Sequence, residues 1–169
     1  MAHNHTQHEG AAKLYELIKE IKVAMMTTVE PDGTLHSRPM WNHMADDAGD
    51  LWFFTRQRSP KVRELQTDSQ VNLAYSNPNS QDYVSVSGTA DIIRDQSKVK
   101  ELWTEGLRTW FPNGPDDPDI ALIRVHPVGG EYWDGPSKTV MQLYGYAKAR
   151  LTGEPPNELS DNKKVTLTA

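Results

Sequence analysis

Cysteine is absent from this 169-residue chain. That absence removes disulfides, thiolate metal sites, iron–sulfur clusters and cysteine nucleophiles together. Long apolar runs are missing as well. The longest, Val23–Met26 and Leu51–Phe54, fall far short of the roughly 20 residues a bilayer-crossing helix needs, so no membrane partner is expected. The opening MAHNHTQHEG has no apolar stretch of the kind a secretory signal carries, which makes the cytoplasm the expected location. Common catalytic signatures are lacking too: GxSxG, GxGxxG, the phosphate-loop lysine pattern and HExxH do not occur. Basic residues are in the minority, 18 against 23 acidic, for a net charge of −5. A polyanion such as nucleic acid needs a basic footprint, and the average charge speaks against one.

The length fits one domain that buries roughly 70% of its unfolded surface. Leu14, Leu17, Ile18 and Ile21 recur at helical spacing after Glu9, with Lys13, Glu16, Lys19 and Glu20 largely opposite, which predicts an amphipathic helix. Strands are predicted over 23–29, 34–44 and 51–55, separated by Glu30-Pro31-Asp32-Gly33 and by the Asp46–Asp50 turn. Ser59-Pro60 reads as an N-cap followed by proline at the first helical position, opening a short helix through Gln66. Further strands are expected over 70–75, 82–94, 120–126 and 130–133, with helices over 97–107 and 138–151. Gly88 marks a point where a barrel strand can bend. The expected fold is mainly β (α+β), a six- to seven-stranded antiparallel barrel with peripheral helices, spanning residues 11–153 between tails at 1–10 and 154–169.

The most informative window is Arg56–Arg63, with four basic residues and no acid, so the rest of the chain carries −9. Positive charge beside a helix N-terminus makes an anion site, because the free N–H groups and the macrodipole add to it. Ser59 and Lys61 stand at that helix start, and Arg38 on the preceding hairpin offers a bidentate contact from across the sheet. Trp41, Trp52, Phe53, Phe54, Trp110, Phe111 and Trp133 fall near turns or strand ends. An anion site beside aromatic rings points to a phosphorylated aromatic cofactor. The histidines lack metal-ligand spacing, so no metal is expected. The Asp46–Asp50 and Asp116–Asp119 clusters read as turn formers rather than calcium loops.

Taken together, Arg38-Pro39-Met40-Trp41, Trp52-Phe53-Phe54-Thr55, Ser59-Pro60-Lys61, Gly88 and Glu131-Tyr132-Trp133-Asp134-Gly135 resemble the pyridoxamine 5′-phosphate oxidase-like split β-barrels. The Trp110–Asp119 loop and the Glu131-Tyr132-Trp133 segment are most similar to the general stress protein 26 branch. The resemblance implies a homodimer with FMN, or FAD, at the subunit interface. By position, Arg38, Ser59 and Lys61 would hold the phosphate, Met40 and Trp41 run along the flavin ring, Phe54 and Thr55 border it, and Trp133 reach the cofactor of the other subunit. The true oxidases also carry an Arg-x-His segment beyond that tryptophan. Ser137–Tyr146 here contains no arginine or histidine, which disfavours oxidation of pyridoxamine phosphate.

The function expected from these residues is flavin-dependent oxidoreduction with a reduced nicotinamide or another small electron donor or acceptor, with no catalytic side chain assigned. The alternatives are a flavin-binding redox or stress module without turnover and, from another class, a barrel that binds single-stranded nucleic acid through the same basic and aromatic residues.

Overall fold

A computed structural model describes residues 2–43, 48–134 and 161–167. Asp46 and Asp47 of the predicted 46–50 turn, the predicted helix over 138–151 and the Ser137–Tyr146 stretch lie outside the described residues. The chain runs α1 (Ala2–Ile21), β1 (Val23–Val29), β2 (Leu35–His43), β3 (Leu51–Arg56), α2 (Pro60–Thr67), β4 (Gln70–Asn77), β5 (Asp82–Ile93), α3 (Gln96–Leu102), a 3-10 turn (Glu105–Thr109), β6 (Ile120–Asp134) and β7 (Asp161–Thr166). The strands follow the order β3-β2-β1-β4-β5-β6-β7, and an extra β3–β6 pairing closes the first six into an antiparallel barrel. Among the described residues no helix is long and apolar enough to cross a membrane.

Two apolar clusters lie on opposite faces of β3. Leu51 and Phe53 point into the barrel with Ala24, Met26, Leu73, Val86, Ile123 and Val125, and α1 adds Leu14, Leu17 and Ile18 to the same core. Trp52 and Phe54 point the other way, into a second cluster with Val99, Leu107, Phe111, Ile120 and Leu122. A strand buried on both faces reads as an unbroken apolar run, as Leu51–Phe54 does.

Four details differ from the sequence reading. The segment assigned to an N-terminal tail is helical from Ala2, because apolar spacing reports where a helix is packed rather than where it starts. The segment assigned to a C-terminal tail contains β7, which pairs with β6 from Gly129↔Thr166 to Asp134↔Asp161. Its one buried apolar side chain, Val165, sits where a Cβ on Gly10 of α1 would lie 3.1 Å away, so one residue supplies the apolar signal. The two strands expected over 120–133 are one strand. Pro127 is tolerated within it because it lies opposite Gly88, where the β5–β6 register shifts between Ser87 and Gly88. A Cβ at Gly88 would stand 2.4 Å from the His126 carbonyl oxygen, so only glycine fits this bend.

The helix expected over 97–107 ends at Leu102. Asp95 caps its start by accepting from the Ser97 and Lys98 amides. Trp103 then turns to extended backbone before the 3-10 turn.

Candidate functional site

The end of β2, the end of β3, the start of α2 and the 3-10 turn with the loop after it enclose a cleft of about 500 Å³. Its lining includes Met40, Trp41, Phe54, Thr55, Ser59 and Lys61, six of the eight residues singled out by sequence. Alternation along β2 sends Met40 toward the barrel core and leaves Trp41 on the outer face. Trp41 is 48% exposed, and its ring lies 6.4 Å from that of Trp110 across the cleft mouth. Deeper in, Phe54 meets His43 edge-on at 4.8 Å and Phe111 at 6.1 Å.

The polar end of the cleft is built by α2. Ser59 is the N-cap with Pro60 just inside the helix, as its sequence predicts, yet the Ser59 hydroxyl does not cap the free amides. It lies 3.1 Å from the Thr55 hydroxyl, which also accepts from Lys61 Nζ at 3.4 Å. Lys61 is half-buried, and no carboxylate among the described residues forms an ion pair with it. Burial first, then the positive charge of Arg38, holds its pKa below the ordinary lysine value, with Glu64 partly offsetting. The result is a half-buried cation, two hydroxyls and a helix N-terminus at one end of the cleft. That arrangement suits an anion.

Arg38 sits elsewhere. Its guanidinium donates to Glu64 Oε2 at 2.8 Å and to the Thr28 hydroxyl, which itself donates to the same carboxylate oxygen at 2.6 Å. The Arg38 and Glu64 side chains are 14% and 6% exposed, so this is an internal ion pair, and Arg38 does not line the cleft. Trp133 is also outside the lining. It lies near the end of β6, opposite Tyr83 of β5 and Asn162 of β7.

The other basic residues of the 56–63 window divide by environment. Arg58 and Arg63 are exposed and off the cleft lining. Arg56 lines it but is engaged: it donates to the Trp110 carbonyl at 2.7 Å, pairs with Asp119 at 3.3 Å and lies 5.3 Å from the Phe111 ring centre. Gln57 holds the same loop through its amide to the Asp119 carbonyl and its side chain to the Pro118 carbonyl, both at 2.8 Å.

His43, Trp110 and Phe111 also line the cleft, although the sequence motifs assign none of them to the cofactor. His43 had a usable signal, since it lies two residues beyond Trp41 on the same strand and therefore on the same face. Its Nε2 is buried without a hydrogen-bond partner among the described residues, and burial holds the ring's pKa below the usual histidine value.

Comparison with known proteins then decides the family. The family described as pyridoxamine 5′-phosphate oxidase like matches residues 9–157. The chain belongs to the pyridoxamine 5′-phosphate oxidase-like family. Within reach of this family, the protein bli-3 of Neurospora crassa is 33% identical over 144 residues, covering 79% of this chain and 69% of that protein. A general stress protein 26 from Jannaschia sp. CCS1 superposes with a TM-score of 0.77 at 24% identity, covering 94% of this chain and 99% of that one. A pyridoxamine 5′-phosphate oxidase-related, FMN-binding protein from Nostoc punctiforme PCC 73102 shares the fold with a TM-score of 0.60 at 16% identity, over 94% of each chain. The family's split barrel is thus the architecture described above, with the six-stranded closure and one added strand.

Proposed function

We propose that the cleft binds FMN and that the protein works as a flavin-dependent oxidoreductase of the general stress type. The observation that carries this reading is the half-buried Lys61 ammonium, held beside the Thr55 and Ser59 hydroxyls at the end of an aromatic cleft and lacking a carboxylate partner among the described residues. A phosphate supplies the missing negative charge, and the Met40, Trp41 and Phe54 wall suits a flat ring. The Nostoc protein of the same fold is FMN-binding. When bound, the flavin ring supplies hydride and electron chemistry of its own. The protein's part is to anchor the phosphate on Lys61, Ser59, Thr55 and the α2 N-terminus, to orient the ring against Trp41 and Phe54, and to keep water from its buried face.

The reading includes a homodimer with the cofactor at the interface and Trp133 completing the site of the partner subunit. Its physical support is an apolar strip on the barrel's outer face. Val23 stands opposite Trp41 and Met25 opposite Pro39, and Val23, Met25, Trp41 and Tyr83 are each 38% exposed or more. Val23, Pro39 and Trp41 also line the cleft, so covering the strip narrows the cleft mouth.

Titration of the purified protein with FMN tests the reading. Quenched flavin fluorescence at micromolar concentrations, with riboflavin binding more weakly, is the expected result; no quenching by either flavin overturns it. Anaerobic mixing with a reduced nicotinamide then tests turnover, with bleaching of the flavin absorbance expected and an unreduced flavin counting against the oxidoreductase assignment.

A further inference from the structure

His43 ends β2 and lines the cleft at a distance from its anion end. It stands level with Trp52 of β3, so Thr55, the partner of Lys61, is three residues farther along that strand. At the rise of an extended chain this separation is about 10 Å. In FMN a five-carbon chain holds the ring a comparable length from the phosphate, so a ligand anchored on Lys61 brings its ring to His43. Aromatic side chains define this end of the cleft: Trp41 shares the strand face of His43, and Phe54 meets the imidazole edge-on at 4.8 Å.

Among these rings the imidazole is the polar exception. Its Nε2 is closed to water and has no hydrogen-bond partner among the described residues, a costly state for a buried nitrogen. Burial also lowers the ring's pKa, so the imidazole is neutral at neutral pH and carries one N–H to donate. Resting on the reading of the cleft as a flavin site, we infer that His43 binds the ring of the ligand, donating from Nε2 to a carbonyl oxygen or ring nitrogen of the flavin. A modest turn about the last side-chain torsion, which is soft in histidine, brings Nε2 to a ligand seated on this wall. The bond is stronger to the electron-richer reduced ring, so His43 raises the reduction potential of bound flavin as well as its affinity.

The test compares three variants of the full-length protein, with FMN and riboflavin as probes and the potential of bound flavin as a second readout. His43→Leu weakens FMN and riboflavin alike by about threefold to tenfold, because the lost contact is to the ring, and it lowers the potential. His43→Gln, whose amide nitrogen reaches the place of Nε2, stays within about twofold of the parent in affinity and keeps its potential. His43→Asn is too short to reach and behaves like His43→Leu. Unchanged affinity and potential in His43→Leu overturn the inference. Equal losses in His43→Leu and His43→Gln at the parent's potential overturn it as well, since the imidazole then only packs. Should His43→Leu fail to fold, the other two variants still decide, because equal behaviour of His43→Gln and His43→Asn overturns the inference. Failure of the underlying reading is distinguishable: the parent protein would bind neither flavin.

Discussion

Two polar clusters flank the first turn of α2, and they differ in whether their charge is balanced. Around Glu64, one carboxylate oxygen accepts from both Arg38 and Thr28, and the group is largely closed off from water. Around Lys61, a cation and two hydroxyls face a cleft with no anion among the described residues. The first cluster satisfies itself, and the second is the one on which the proposed function rests. Charge density along the chain does not separate them, because both draw on basic side chains of similar kind; the positions of the carboxylates do.

Breaking the balanced cluster has the largest expected effect. Arg38→Met leaves a buried carboxylate unpaired and lowers stability by about 3–5 kcal/mol in denaturant unfolding, whereas the neutral pair Arg38→Met with Glu64→Gln recovers most of the loss. Lys61→Met should do the reverse. Folding stability is unchanged or slightly raised, and FMN affinity falls about 10–100-fold with little change for riboflavin, as fluorescence titration reads it. At the ring end, Trp110→Ala removes one aromatic face of the cleft mouth and weakens FMN and riboflavin alike by roughly threefold to tenfold. Equal losses for the two flavins separate ring from phosphate contacts.

The smallest effect is that of pH, and its sign distinguishes free from loaded protein. The folded Lys61 gives up its proton below the ordinary value of 10.5. In the free protein stability therefore rises as pH climbs through that window, because the unfolded chain binds the extra proton there. FMN affinity falls over the same window as the ammonium is lost. Opposite slopes, measured by thermal unfolding and by FMN titration between neutral pH and about 10, are the expected result.

Much of this was legible in the sequence. Ser59-Pro60 located the helix start, and the basic window around it located Lys61. Alternation in β5 together with Gly88 located the barrel's bend. Three kinds of information were not local. Whether a basic residue is free depends on where the acids fall in space, so Arg38 and Lys61 read alike until Glu64 was placed. The loop wall of the cleft comes from residues more than fifty positions after β3, and no periodicity links them. β7 carries a single buried apolar residue, Val165, which is too little pattern to mark a strand.

The clamp that Arg56 and Gln57 place on the 110–119 loop has a kinetic consequence. Four hydrogen bonds or ion pairs join the end of β3 to the carbonyls of Trp110, Pro118 and Asp119 and to the Asp119 carboxylate. One wall of the cleft is thereby assembled during folding rather than on encounter with a ligand. Ligand association should then proceed in a single phase, with a rate set by collision and orientation and no slow closing step. In amide exchange, the loop and the β3 end should open together as one unit.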